Sequence, residues 1–277
     1  DRRGREQLGR LRAISYSLEM IILTASPLAP YVSRLTFVAV NAAVLIVLSL
    51  GLGYAAGRLF ESVPFSSLGA SFHKTCLRNW LRGLAIGTTT LLLAVGISTI
   101  AGGHRFAFNE TELVEIALSI FASLLVFALS AAWEEAFFRG YILQTFDRAG
   151  LAWLAILLTS VFFGIVHADN LDASLFSVVN TILAGIWFAL AYLKTRDLWF
   201  VWGLHFVWNW LQGAVFGIEV SGMTEFVTAP LLKEIDHGPT WLTGTTYGIE
   251  GGVACTVALL ISIAALQFGW KFNAEIA

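Results

Sequence analysis

Six residues have types and spacings that could do chemistry. Glu134, Glu135 and Arg139 lie in Ala131-Ala-Trp-Glu-Glu-Ala-Phe-Phe-Arg-Gly140, His167 closes Val161-Phe-Phe-Gly-Ile-Val-His167, and His205 and Asn209 lie in Val201-Trp-Gly-Leu-His-Phe-Val-Trp-Asn209. On a helix, Glu135 and Arg139 stand about 40° apart, in the Glu-then-Arg order that favours pairing. Glu134 is rotated about 100° from its neighbour and is left to face elsewhere. A snorkelling Glu–Arg pair is the plain structural alternative, but two adjacent acids exceed what it requires. His205 and Asn209 share one helix face at i, i+4; as a simple helix–helix hydrogen-bonding pair they would contribute only about 1 kcal/mol. One carboxylate and two imidazoles can activate a water directly, or through a metal such as zinc with Glu134, His167 and His205 as ligands. His or Asn side chains can also donate to an oxyanion.

The elements that carry these residues are apolar helices. The 277-residue chain is 57% hydrophobic and 13% charged, against about 25% charged in soluble domains. That excludes disorder, a small disulfide scaffold and a water-soluble enzyme. With 17 Lys+Arg, 19 Asp+Glu and a net charge of −2, no basic field exists for nucleic acid. Seven stretches approach the roughly 20 residues of a membrane span: Leu35–Ala56, Leu81–Ala101, Ile116–Trp133, Leu151–Val166, Ala173–Leu193, Leu198–Gly217 and Gly252–Phe268. An eighth, Ala13–Val32, is weakened by Glu19, Pro27 and Pro30. The sequence therefore predicts an all-α, polytopic transmembrane bundle of about eight helices, seven clear and the first weak. It reads as one integral membrane domain over 1–277, with a core at 117–217. Its polar connection Glu219–Glu250 is the longest.

Basic residues fall on alternate ends, with Arg2, Arg3, Arg5, Arg10, Arg12, Arg58, Lys74, Arg78, Arg82, Arg139, Arg148, Lys194, Arg196 and Lys271 on one side. The positive-inside rule then places both termini in the cytoplasm, and the opening residues show no cleavable signal pattern. Gly51, Gly53 and Gly57 would admit close helix approach, and Trp133, Trp153, Trp199, Trp202 and Trp241 would form an interfacial belt. Cys76 and Cys255 are not expected to meet, and His73, His104 and His237 read as loop residues. Asp147-Arg-Ala-Gly150 is the natural turn of a hairpin in which Glu134, 13 residues before it, and His167, 17 after it, are level to about one helical turn. His205 is only about nine residues from its own turn near Arg196. The Phe137–Leu154 hairpin is therefore expected to project beyond the membrane.

Together the three motifs resemble the membrane protease family of the CAAX prenyl endopeptidase and its bacterial relatives, the CPBP or Abi family. Its pattern is Glu-Glu-x-x-x-Arg, Phe-x-x-x-His and His-x-x-x-Asn/Asp on three membrane helices. These read here as Glu134-Glu135 to Arg139, Phe163 to His167 and His205 to Asn209. The resemblance covers about Ala117–Gly217, and the tract Gly238–Gly251 looks like the family's connection before its last helix. It implies an intramembrane hydrolase in a bacterial-type inner membrane, acting on a peptide or protein substrate at the lipid bilayer. Glu134 would activate water with His167, His205 and Asn209 would stabilise the oxyanion, and Arg139 would partner the glutamates. The family has been described as glutamate-dependent and as a metalloprotease, and both readings stay open at this point. Two other functions compete: a non-catalytic accessory subunit of a larger membrane complex, and a haem or chlorophyll protein ligated by His167 and His205.

Overall fold

The computed structural model of the protein describes residues 29–269. The weak segment Ala13–Val32 lies almost wholly outside the described residues, as do the amino-terminal basic cluster and Lys271. Seven principal helices follow: α1 (Ala29–Ala56), α2 (Cys76–Ile100), α3 (Leu113–Arg148), α4 (Ala152–Val166), α5 (Leu175–Thr195), α6 (Leu198–Trp210) and α7 (Val253–Ala264). Two short strands, β1 (His104–Phe108) and β2 (Leu232–Asp236), pair antiparallel in the connections. Four helical stretches, Arg34–Glu61, Cys76–Ile100, Leu113–Arg148 and Leu175–Thr195, are long and apolar enough to cross a membrane, and α4 and α7 are shorter apolar helices. Their outer faces are apolar too: Val47, Leu52, Ile100 and Phe121 are all exposed. The protein is an all-α integral membrane bundle, with backbone polar groups satisfied inside each helix as lipid demands.

α6 is the centre of the bundle. Leu198-Trp-Phe-Val-Trp-Gly-Leu-His-Phe-Val-Trp-Asn-Trp210 is apolar all round, the pattern of a helix enclosed by protein, and Phe200, Val201 and Leu204 have no exposed surface. α2 crosses it without side chains at the contact: a Cβ on Gly83 would lie 2.0 Å from the Phe200 carbonyl, and one on Gly87 would lie 2.4 Å from that of Leu204. Close approach is tightest here; of the three glycines of α1 and its continuation, Gly53 also meets a neighbour, with a Cβ 3.0 Å from Tyr141 Cβ of α3, whereas Gly51 has open space around it. The amino terminus of α6 is tied down by Asp197, whose side chain accepts from Trp199 N at 2.9 Å and from Asn79 Nδ2 of α2 at 2.6 Å. α5 begins with a reciprocal cap between Ser174 and Ser177, satisfying donors that have no partner within the helix.

α3 is not uniform. Ala136–Ile142, which includes Arg139, is wound as π-helix, a widened turn that recurs at functional sites. The hairpin tip after it does not project beyond its neighbours. Arg148 Nε pairs with Glu61 Oε2 at 2.8 Å, at the end of the helix that continues α1, and Asp147 pairs with Arg196 at the α5–α6 turn. The tip is thus level with two other helix ends. The tryptophans depart from a simple belt: Trp153 and Trp241 are exposed, but Trp133 lines an internal cavity and Trp202 Nε1 donates to the Ala128 carbonyl at 2.7 Å. Cys76 and Cys255 are both free thiols.

Candidate active site

The three motifs arrive on α3, α4 and α6 and meet. Glu134, His167, His205 and Asn209 all line one cavity of about 190 Å³. The glutamates divide as their helical angles predict. Glu135 is buried against Arg139, with Oε1 accepting from Arg139 NH1 at 3.1 Å. The same oxygen lies 2.8 Å from His205 Nδ1, so one carboxylate oxygen joins α3 to the central helix. Glu134 reaches the cavity instead. Its Oε2 has no hydrogen-bond donor among the described residues and lies 3.9 Å from His205 Nε2.

Arg139 is completely buried, yet it is accommodated. Its guanidinium carbon stands 4.9 Å from the Phe163 ring centre, 5.1 Å from Phe188 and 5.5 Å from Phe138, and NH2 donates to the Gly185 carbonyl at 3.1 Å. Cation–π contacts of this kind gain strength where water is excluded. The aromatic cage and the Gly185 carbonyl fix Arg139, Arg139 fixes Glu135, and Glu135 fixes His205. Glu135 and Arg139 are therefore positioning groups set behind the cavity rather than in it.

The histidines are held in defined forms. His167 Nδ1 lies 2.7 Å from the Phe163 carbonyl oxygen, which can only accept. The proton is on Nδ1, and neutral His167 keeps a lone pair on Nε2. His205 donates Nδ1–H to Glu135, and its Nε2 lies 3.2 Å from Asn209 Nδ2. In neutral His205 that Nε2 accepts from the amide, so both ring nitrogens are engaged within the protein. This bears on a metal. A zinc at Glu134, His167 and His205 would need the lone pair that Asn209 occupies, and those three residues do not bring their ligand atoms together; among the described residues the metal-like grouping is elsewhere, at His104, Glu234 and Asp236. A metal at the cavity would require Asn209 to release His205 Nε2.

The sequence reading missed the far wall. Asn180 of α5 donates to the Glu250 and Gly252 carbonyls at 2.8 and 3.0 Å and accepts from Thr256 at 2.7 Å, which seats α7 on α5. Glu250 lines the cavity, with Oε2 accepting from Ser221 N and Oγ, both at 2.7 Å, and Oε1 from Trp208 Nε1 at 3.2 Å. Asn180 stands out in retrospect as an amide inside an apolar run. The partnership of Glu250 with Ser221 depends on how the long connection folds back, for which the sequence carries no local signal.

Burial holds the Glu250 carboxyl above the ordinary carboxylate range, against the hydrogen bonds from Ser221 and Trp208. A carboxyl raised in the folded state favours folding below its unfolded value, and that contribution is lost as pH rises through the raised folded value. Glu250→Gln cannot ionise. The wild-type unfolding midpoint is therefore expected to fall more than that of the variant as pH is raised from about 4. Parallel midpoint-against-pH curves for the two proteins would contradict this.

Comparison with known proteins agrees with the geometry. No curated protein and no solved structure matches the chain. Residues 116–211, which run from the start of α3 to the end of α6, match the model of the family described as type II CAAX prenyl endopeptidase, Rce1-like. All six motif residues fall inside that span, so the motif-bearing core of this chain is similar to the CAAX protease-like, or CPBP, family.

Proposed function

We propose that this protein is an intramembrane endopeptidase that hydrolyses a peptide bond of a membrane-associated substrate with a water activated by Glu134. The observation that carries the reading is the meeting of Glu134, His167, His205 and Asn209 on one cavity, within a segment that matches a protease family. Glu134 presents an oxygen without a donor, as a general base requires. His167, with its proton committed to Phe163, offers Nε2 to a hydrogen of the same water and orients it. The water oxygen bonds to the scissile carbonyl carbon, its proton passes to Glu134, and the carbonyl oxygen becomes the oxyanion. Asn209 spends one amide hydrogen on neutral His205, which fixes the amide, and has a second for that oxyanion. Collapse of the intermediate breaks the C–N bond, and Glu134 returns the proton to the leaving amine.

The arrangement of basic ends supports a cytoplasmic setting for the α1–α2, α3–α4 and α5–α6 turns. Arg148 and Arg196 stand together there through Glu61 and Asp147, and such ends face the cytoplasm under the positive-inside rule.

The test is cleavage of a peptide library, with prenylated and unprenylated members, by the purified protein in lipid vesicles with chelator present. Cleavage under chelation is the expected result. Loss of one oxyanion donor typically costs about 10²–10³ in rate, so Asn209→Ala is expected to lower kcat by that factor with KM little changed. A chain that cleaves nothing, and whose four cavity variants still assemble with a co-purifying membrane complex, would be an accessory subunit instead.

A further inference from the structure

The geometry points to a divalent transition-metal site, best suited to zinc, formed by His104, Glu234 and Asp236 on the inner face of the β1–β2 ribbon. The ribbon places them there. His104 is directly opposite Asp236 in the antiparallel register, and Phe106 is opposite Glu234. Residues two apart on a strand share a face, so Glu234 and Asp236 point the same way, toward His104 on the neighbouring strand. One ligand atom from each lies within 4.8 Å of the other two. Tetrahedral zinc bonds of about 2.0–2.2 Å put two ligands of one ion about 3.4–3.6 Å apart, so closure from separations within 4.8 Å needs a shift of at most about 1.4 Å, within the reach of a glutamate side chain.

The second observation concerns His104 itself. It reads in the sequence as a loop histidine, yet it has no exposed surface. Neither ring nitrogen makes a hydrogen bond, and Glu234 Oε2 is also buried without one. Nε2 does approach Glu234 Oε1 at 3.0 Å, but outside hydrogen-bonding angles. Buried polar atoms are seldom left so, and here three of them occupy one cluster. Asp236, in contrast, is oriented from behind, accepting from Gly238 N at 2.7 Å and from Thr243 Oγ1 at 2.8 Å, as metal-bound carboxylates usually are. Charge argues the same way. Two carboxylates face one imidazole, and Glu219 stands within electrostatic reach of all three. A divalent cation neutralises that excess. One nitrogen and carboxylate oxygens form a donor set that zinc and its neighbours accept.

None of these residues lines the Glu134 cavity, so the site is independent of the proteolytic reading. Its place in the fold gives it a structural role: it would pin β2, in the connection that supplies Ser221 and Glu250 to the cavity wall, against β1 and the Thr243 turn.

The test uses the full chain in detergent, stripped with chelator, reloaded with zinc and desalted. The expected result is one zinc per chain by elemental analysis and an unfolding midpoint raised by zinc. Both are lost in Asp236→Asn, which retains an acceptor for Gly238 or Thr243, and in His104→Gln. Both are kept in Glu134→Gln and His205→Ala. Substoichiometric zinc in the wild type would overturn the site, and so would zinc that survives Asp236→Asn or is lost in His205→Ala. A folding failure of His104→Gln leaves Asp236→Asn and the wild-type midpoint to decide.

Discussion

Glu134→Gln is expected to slow peptide cleavage by about 10²–10⁴, the usual contribution of a positioned general base, while leaving the unfolding midpoint nearly unchanged. The asymmetry follows from the surroundings. Glu134 Oε2 accepts no hydrogen bond, so an amide in its place breaks nothing, yet it cannot take the proton from water. Glu135→Gln is expected to behave in the opposite way. Glu135 Oε1 serves both Arg139 and His205, so the change loosens the scaffold and lowers stability as well as rate. Kinetics and thermal unfolding on both variants check the division. A Glu134→Gln protein that cleaves at the wild-type rate while Glu135→Gln is inactive and stable would show the roles reversed.

Arg139→Met is expected to have the largest effect on stability, about 3–5 kcal/mol, because removing one partner of a buried pair leaves the other charge uncompensated. The aromatic cage of Phe138, Phe163 and Phe188 receives a thioether well, so packing loss is small and the isolated Glu135 charge dominates. Adding Glu135→Gln should then recover part of the loss. Unfolding midpoints of the single and double variants measure this. A double variant less stable than Arg139→Met would mean that the cage, and not the charge, is what Arg139 supports.

The motif-bearing half of the candidate site was legible because polar residues are rare in these helices, so each one carried information. The helical angle separated Glu134 from Glu135, and hairpin counting brought Glu134 level with His167; the bundle places both as that arithmetic requires. The count erred where it assumed uniform helix. The π-helical stretch Ala136–Ile142 and the ties from Arg148 to Glu61 and Asp147 to Arg196 keep the hairpin level with its neighbours, and neither has a composition signature. The illegible parts depend on pairing between distant segments. His104 looked like a loop residue because nothing near it in sequence announces β1, whose partner strand lies on the far side of four helices in the chain. Glu250 and Ser221 meet only when the long connection returns over the cavity. Two of the tightest packing glycines, Gly83 and Gly87, sit in ordinary apolar runs and became visible only when α6 was placed against them.

The most direct test of the central claim, that Glu134 activates water rather than attacking the peptide itself, is a single turnover in ¹⁸O-labelled water. The wild-type protein in lipid vesicles is mixed in excess with a cleavable peptide, and both product and enzyme are then digested and read by mass spectrometry. Direct hydrolysis predicts one ¹⁸O in the new carboxylate of the product and none in the enzyme peptide that contains Glu134. Label in Glu134 would reveal an acyl-enzyme anhydride formed on its carboxylate and opened by water, and would contradict the mechanism; so would the absence of labelled product from every peptide in the library.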